Sequence, residues 1–324
     1  MVLQGTDMLV LFGKTAQNGG RFMDCSNSRN KALEKTTPVE FFEWSVLGDG
    51  TVSIDGYKGD DEKVVIPSEM DGKRVTAIGN NSFQFSEITS ITIPHGVTKI
   101  ECCAFASCPS LASINIPDSV TAIGEMAFLG CTSLTSIDIP EGVTVISGVT
   151  FAGCTSLTSI TIPDSVTKIG DSVFTNCTSL TSINIPDSVT EIGWRAFEDC
   201  TSLSSVNIPE GLKEINSSLF FNCSSLSAIE IPESVAEIRD CAFFGCKSLA
   251  LLKIPEGVTK IGDSVFTNCT SLTSINIPDS VTEIGENSFV GCELLSSIKL
   301  PDGVNKAGVL TPHFSSNSKR NGGR

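Results

Sequence analysis

The chain has 324 residues, and its 37 acidic residues outnumber its 22 lysine and arginine residues, which gives a formal net charge of −15. Nucleic-acid binding needs clustered basic side chains, so this charge argues against a nucleic-acid partner. No run of about 18 apolar residues occurs, and we therefore expect no membrane span. The stretch MLVLF at 8–12 is too short for a convincing secretory signal, so we see no export signal.

The first two segments of the chain lie before any repeat. Residues 1–38 mix glycine, asparagine, serine and charge without a period, which predicts a disordered N-terminal segment. In residues 39–63 apolar and polar residues alternate on both sides of Gly48, Asp49 and Gly50, a pattern typical of a β-hairpin. We expect this hairpin to cap the apolar end of the adjoining array.

From residue 64 onward the chain is periodic, with a proline every 23 residues. A fixed period of about 20 to 29 residues, with leucine or isoleucine at fixed places, indicates a leucine-rich repeat solenoid. We therefore predict one α/β repeat domain over 64–304, followed by a flexible C-terminal tail at 305–324. The repeat prolines are Pro94, Pro117, Pro140, Pro163, Pro186, Pro209, Pro232, Pro255, Pro278 and Pro301.

Each coil of this array contains two extended segments and two turns. In SIDIP the apolar Ile137 and Ile139 alternate with polar residues, as in a strand with one buried face. The next segment, PDSV, suits a turn, VTKIG suits a second, shorter strand, and DSVFTNC suits a helical or 3₁₀ turn. The predicted fold has a parallel β-sheet on one face and short strands and helical turns on the other.

One 28-residue stretch, VTKIGDSVFTNCTSLTSINIPDSVTEIG, occupies 166–193 and recurs unchanged at 258–285. The offset of 92 residues is four periods. Because each position in a coil has one packing role, a copied coil can stack without a new core. Identity at exposed positions goes beyond packing, and we interpret it as a recent duplication within the array.

The motifs I-x-I-P, VTxIG, AFxxC and CxSLxSIxIP together resemble the BspA-like, or Treponema pallidum type, leucine-rich repeat family over about positions 64–304. The first repeat, VVIPSEMDGKRVTAIG, is also similar to the opening repeat of that family. The resemblance implies a protein-binding solenoid without catalytic residues, and in some members adhesion to host matrix proteins or to other cells. It implies a microbial cell-surface or secreted location, with a cytoplasmic location as the alternative.

Nine of the 13 cysteines form one column of the array. A single file of sulfur atoms offers no tetrahedral zinc site, and a spacing of about 4.8 Å is awkward for disulfides. We interpret them as buried small apolar side chains, whose number mildly favours a reducing environment. Adjacent Cys102 and Cys103 have no interpretation from the sequence. The column comprises Cys108, Cys131, Cys154, Cys177, Cys200, Cys223, Cys246, Cys269 and Cys292.

An acidic residue comes directly after most of the repeat prolines, from Asp118 to Asp302. A row of carboxylates about 5 Å apart could hold calcium, but each acid also suits its turn, and we favour the turn role without metal. The chain has two histidines and lacks the phosphate-loop, HExxH and G-x-S-x-G motifs. A repeat also produces rows of one group rather than a catalytic pocket. We predict no enzymatic activity, cofactor or small-molecule substrate.

Residues that depart from their own column are the candidate partner-binding residues. Trp194, next to Arg195, stands where other coils carry aspartate, glutamate, serine or glycine. Tryptophan and arginine are enriched in binding hot spots, although drift in a tolerant array is the alternative interpretation. The candidates on the convex side, here called the aromatic patch, are Trp194, Arg195, Phe221 and Phe244. The candidates on the strand face are Asp138, Asn184, Asn207, Glu230, Leu251 and Lys253.

These observations together favour a non-catalytic protein-binding solenoid that acts in cell-surface adhesion or in host and cell interaction. The expected partner is an extracellular matrix protein or another cell-surface protein. An intracellular protein-interaction scaffold is the alternative, favoured by the thiols and the missing export signal. An enzyme or a calcium-dependent carbohydrate binder is the third possibility.

Overall fold

The computed structural model describes residues 35–296 and 298–304, and the structural statements below concern that part of the chain. Most of the segment 1–38 predicted to be disordered, and the whole predicted tail 305–324, lie outside the described residues. Thr37 belongs to that first segment but is buried. Its backbone N–H donates to the Val65 carbonyl at 3.0 Å, and its hydroxyl accepts the Val65 N–H at 3.0 Å. Packing against the first coil therefore includes Thr37.

An antiparallel hairpin precedes the array and covers its first coil. Phe42 and Tyr57, from the two hairpin strands, have ring centroids 5.4 Å apart, and Tyr57 stacks on Phe83 at 5.8 Å. The second hairpin strand also pairs in parallel with a strand of the array. The elements of this region are a 3₁₀ turn at Val39–Phe41, β1 at Phe42–Val46 and β2 at Val52–Tyr57.

The array consists of stacked coils, each with two short strands. Beyond the first pair in each series, neighbouring strands are parallel and in register at 23-residue spacing, as in Ser136 opposite Ser159, which confirms the predicted coil length. The first strands of the coils are β3 (Lys63–Val65), β6 (Ser90–Thr92), β8 (Ser113–Asn115), β10 (Ser136–Asp138), β12 (Ser159–Thr161), β14 (Ser182–Ile183), β16 (Ser205–Val206), β19 (Leu251–Lys253) and β21 (Ser274–Asn276).

The second strands form a parallel series of their own. They begin with β5, which also pairs antiparallel with β4 (Glu69–Met70). Their bounds are β5 (Lys73–Ile78), β7 (Lys99–Ile100), β9 (Ala122–Ile123), β11 (Val145–Ile146), β13 (Lys168–Ile169), β15 (Glu191–Ile192), β17 (Glu214–Ile215), β18 (Glu237–Ile238), β20 (Lys260–Ile261) and β22 (Glu283–Ile284).

Both series are divided into short sheets, which differs from the single sheet that the sequence predicts. The first strands form sheets β3-β6-β8, β10-β12, β14-β16 and β19-β21. The second strands form β5-β7-β9, which continues the hairpin sheet β1-β2, and the separate sheets β11-β13-β15 and β17-β18-β20-β22. Strand structure is absent at 228–230, where a further first strand is expected. The parallel solenoid is confirmed, but its strand face is interrupted.

The prediction of helical turns is wrong, because 3₁₀ residues Val39–Phe41 are the only helical segment in the described part of the chain. Where a helix was expected, backbone N–H groups alternate between two kinds of acceptor. The Cys103 N–H donates to the backbone carbonyl of Glu125 in the next coil at 3.0 Å, whereas the Ala104 N–H donates within its turn to the backbone carbonyl of Glu101 at 3.3 Å. Cys103 also has a φ of 56°, in the left-handed region. Alternating acceptors and a left-handed residue are incompatible with a continuous α-helix.

The core of the array is built from columns of identical side chains. Ten phenylalanines, one per coil, are buried, and consecutive ring centroids lie 5.3 to 5.8 Å apart. The cysteine column is buried beside them, as predicted, and each thiol donates to a phenylalanine carbonyl, for example Cys177 Sγ to Phe151 O at 3.2 Å. Burial raises the pKa of Cys154 to about 12, so the Cys154 thiol is neutral at physiological pH. The phenylalanines are Phe83, Phe105, Phe128, Phe151, Phe174, Phe197, Phe220, Phe243, Phe266 and Phe289.

Candidate interaction surfaces

Trp194 lies in the turn after β15, at the position where its column carries small or acidic residues. Its backbone N–H donates to Oδ1 of Asp171 in the preceding coil at 3.1 Å, which fixes the start of the turn. The side chain remains 44% exposed. A large apolar ring is therefore presented to solvent from an anchored backbone.

Arg195 covers one face of this tryptophan. Its Cζ lies 4.8 Å from the ring centroid of Trp194, within the range of a cation–π interaction. The same guanidinium lies near Glu198, with Nε to Oε2 at 3.6 Å, and the Arg195 carbonyl accepts the Thr175 hydroxyl at 2.9 Å. Arg195 has a φ of 55°, a conformation uncommon for residues other than glycine. The turn therefore places Arg195 over the ring of its neighbour.

Glu198 lies beside Arg195 of the aromatic patch, and the sequence pattern did not identify it. Burial raises the pKa of its carboxyl, while the charge of Arg195 acts in the opposite direction. Its place three residues after Arg195 was the signal that could have identified it. Glu198 also occupies the column that contains Phe221 and Phe244 in the next two coils.

Phe221 and Phe244 stack on each other in neighbouring coils. Their ring centroids are 4.7 Å apart with an interplanar angle of 9°, closer than any pair in the buried phenylalanine column. Both side chains are half-buried. Exposed aromatic pairs of this kind add apolar area and limit side-chain freedom. The structure thus brings two of the predicted residues, Phe221 and Phe244, into contact within the column that also contains Glu198.

The predicted strand-face residues are all exposed, but they do not share one sheet. Asp138 lies in β10, and Leu251 and Lys253 lie in β19. Leu251 is 64% exposed, and Lys253 pairs with Glu233 through Nζ and Oε1 at 3.3 Å. This part of the strand face combines one exposed apolar side chain with a surface ion pair.

The other three strand-face residues lie outside the strands, which corrects the sequence assignment. Asn184 and Asn207 come directly after β14 and β16, and Glu230 lies in the coil without a first strand. Asn207 has a structural role: its Nδ2 donates to the Ile185 carbonyl at 2.7 Å, and its Oδ1 accepts the Ile185 N–H at 2.9 Å. The amide therefore supplies side-chain hydrogen bonds at Ile185, just beyond the main-chain pairing of β14 with β16.

The acidic column does not form a calcium site in the described residues. Within 35–296 and 298–304, no group of three or more histidine, cysteine, aspartate or glutamate side chains could hold a metal ion. One of these acids, Glu233, forms the ion pair with Lys253.

No helix in the described part of the chain is long and apolar enough to cross a membrane.

The pattern of the coils decides the family. The profile described as the BspA type leucine-rich repeat region, in six copies, matches residues 76–204 and 191–317. The chain belongs to the BspA-type leucine-rich repeat family. The resemblance seen in the sequence is thereby confirmed, and it places the protein among repeat solenoids that are generally non-catalytic.

Solved structures of bacterial proteins are similar to this chain. A leucine-rich cell surface protein from Faecalibacterium prausnitzii is 29% identical, over 82% of this chain and 94% of that one, with a TM-score of 0.46. The T. pallidum leucine-rich repeat protein is 28% identical, over 82% and 99%, with a TM-score of 0.46. The pneumococcal vaccine antigen PcpA is 23% identical, over 83% and 76%, with a TM-score of 0.63, and supports the fold alone. The comparison with curated proteins gave no match.

Proposed function

We propose that the protein is a non-catalytic solenoid that binds a protein partner through the aromatic patch. The observation that carries this proposal is the exposed Trp194 ring held beneath the Arg195 guanidinium. Membership of the BspA-type family supports a protein-binding role. The partner contact extends to the stacked Phe221 and Phe244.

The aromatic patch has the composition of a binding hot spot. Tryptophan and arginine are among the residues most enriched in such sites, and hot spots form where the aromatic anchor is fixed before binding. Trp194 is fixed by its backbone bond to Asp171 and by the stacked guanidinium. The equivalent residues of the other coils are polar or small, so the fold itself does not require a tryptophan at this position.

We further propose that the partner is met in adhesion at a microbial cell surface, as an extracellular matrix protein or another surface protein. The family resemblance supports this step. The strand face, with exposed Leu251 beside the Lys253–Glu233 pair, is the proposed second contact. Its small polar side chains do not by themselves specify a ligand class.

The test compares the full chain with a double variant and a matched control. Trp194→Ala with Phe221→Ala removes both apolar anchors, whereas Glu286→Ala changes the equivalent position four coils later. Matrix and cell-surface fractions are passed over the three proteins, and retained proteins are quantified by mass spectrometry. We expect a partner retained by the wild type and by Glu286→Ala but lost by the double variant. Equal retention by all three would exclude the aromatic patch.

An intracellular protein-interaction scaffold is the second candidate function. It is supported by the nine-membered column of buried thiols, because cysteine-rich proteins of oxidising compartments usually carry disulfides. Proteolysis and antibody staining of intact cells separate the two candidates. Cleavage and staining without permeabilisation support the surface role, whereas protection of the chain until lysis supports the scaffold.

A further inference from the structure

Three sulfur atoms converge in the turns of two neighbouring coils near the start of the array. The Sγ atoms of Cys102 and Cys103 are 3.5 Å apart, and Cys103 Sγ lies 3.9 Å from Sδ of Met126. All three side chains are partly exposed. None of them belongs to the aromatic patch or to the strand face, so the proposed function leaves them unexplained.

The fold places these sulfur atoms next to each other. Cys103 and Met126 occupy the same column one period apart and share a φ of 56°, so their side chains leave the backbone in the same way. The Cys102 N–H donates to Oδ1 of Asn80 at 3.1 Å, which anchors the turn to the preceding coil. A Cβ on Gly124 would lie 2.6 Å from the Cys102 nitrogen, so glycine allows the two coils to approach closely.

We propose that Cys102, Cys103 and Met126 form a binding site for Cu(I). Thiolate and thioether sulfurs are soft donors, and soft donors select Cu(I). A trigonal site with metal–sulfur bonds of about 2.3 Å, the length of a zinc–thiolate bond, places its sulfur atoms roughly 4.0 Å apart. The observed separations of 3.5 and 3.9 Å are close to this value.

Binding at this site changes no oxidation state. The two thiol S–H bonds break, their protons go to solvent, two copper–thiolate bonds form, and the Met126 sulfur donates a lone pair. The cluster offers three sulfurs, one fewer than the four nitrogen or sulfur ligands of a structural zinc site.

The other cysteines in the described part of the chain lack this arrangement. The nine column cysteines are buried, and their thiols donate to phenylalanine carbonyls, as Cys131 Sγ does to Phe105 at 3.1 Å. Cys241 is partly exposed and shares the column of Cys103, but Ser218 and Ser264 occupy that column in the adjacent coils. Cys241 therefore provides a matched control with one sulfur instead of three.

The test is a Cu(I) titration of the reduced full chain under anaerobic conditions, in competition with a colorimetric Cu(I) chelator. We expect one Cu(I) per chain to be retained, with thiolate-to-copper absorption in the ultraviolet. Outer ligand contacts at metal sites are worth about 10- to 100-fold in affinity, so loss of a direct ligand in Cys102→Ser or Cys103→Ser should weaken binding by at least about 100-fold. Met126→Leu keeps the side-chain size and should weaken binding less.

Two controls keep the result specific. Cys241→Ser should retain Cu(I) like the wild type, and so should Cys25→Ser, which removes the cysteine outside the described residues. The circular dichroism of the Cys102, Cys103, Met126 and Cys241 variants should match that of the wild type, because these side chains are partly exposed. The proposal is overturned if the wild type loses all Cu(I) to the chelator, or if Cys102→Ser and Cys103→Ser both bind Cu(I) as tightly as the wild type.

Discussion

The two identical stretches, 166–193 and 258–285, make the same contacts in different parts of the array. Phe174 stacks between its neighbours at 5.8 and 5.4 Å, and Phe266 at 5.8 and 5.5 Å. Each copy also pairs its first lysine with its last glutamate, at 2.6 Å in one and 3.0 Å in the other. The core packing of the two copies therefore matches closely, although the flanking coils differ and β14 of the first copy is one residue shorter than β21 of the second.

The copies differ in the residue directly after them. This residue is Trp194 after the first copy and Glu286 after the second, and both donate their N–H to the aspartate of the copy, at 3.1 and 2.7 Å. The backbone of the turn is thus independent of the side chain that it carries. Coil packing is therefore local, and the residue after each copy is available for binding. Four predictions test this separation.

The largest effect is expected from the phenylalanine column. Phe174→Ala and Phe266→Ala each leave a cavity in a buried stack, and such changes cost about 3–5 kcal/mol of unfolding free energy. Because the two environments match, the two losses should agree to within about 1 kcal/mol. Urea unfolding followed by circular dichroism measures both. A clearly larger difference would show that packing depends on distant coils.

The next effect comes from the glycine that ends each copy. A Cβ at Gly193 would overlap the backbone of Asp171, and one at Gly285 would overlap that of Asp263. Overpacking of this kind costs about 1–3 kcal/mol, so both alanine variants should lose similar stability in urea. Gly48→Ala is the control, because nothing lies within 4 Å of its Cβ position. Unchanged stability in the two array variants would contradict the close approach of the coils.

The aromatic patch should separate binding from stability. Trp194→Ala should weaken the affinity for a captured partner by about 2 kcal/mol or more, as expected for a hot spot, whereas Glu286→Ala should leave it unchanged. Calorimetric titration measures the affinities, and urea unfolding should show both variants within about 0.5 kcal/mol of the wild type. Equal binding by the two variants would remove the distinction between the copies.

The smallest effect concerns the cysteine column at alkaline pH. Burial raises the pKa of Cys177 and Cys269 above the value of 9.0 that a free thiol has. Above about pH 9 the unfolded chain loses these protons while the folded chain keeps them, so stability should fall as pH rises. Cys177→Ala and Cys269→Ala should each reduce this slope by about 1.4 kcal/mol per pH unit.

Urea unfolding at several pH values from about 8.5 to 10 tests the alkaline effect, since the folded pKa of Cys154 is about 12. Each variant is compared with itself at the lower pH, which separates the slope from the cavity that alanine leaves. A free energy of unfolding that stays constant over this range would show that the column does not titrate differently in the folded and unfolded states.

Much of the fold could be predicted because the period of the sequence reflects a backbone path that recurs in every coil. The repeated proline fixed the coil length, and the apolar columns identified the buried phenylalanines and cysteines. The helical turns were wrongly predicted, since the sequence of DSVFTNC does not show that alternate N–H groups donate to the next coil. That choice depends on the distance between coils, as at Cys103 and Glu125.

The candidate surfaces were partly predictable for the same reason. Trp194 was found because it breaks its column, and its exposure is a result of that position. The structural role of Asn207 was missed, because its side chain bonds to the backbone of Ile185, a contact absent from any pattern of polar and apolar residues. Met126 could have been found by aligning it with Cys103 one period earlier.

The alternating bonds of the turns have a mechanical consequence. Cys103 N–H points to the next coil, and Glu101 N–H donates to Ile78 of the previous coil at 2.8 Å. A tensile force along the stack therefore loads these bonds along their axes, and one interface can open before its neighbours do. A force along a strand instead shears several bonds at once. A force applied along the stack should therefore meet a different resistance from a force applied along a strand. A coil that detaches from one end of the stack leaves the remaining interfaces intact.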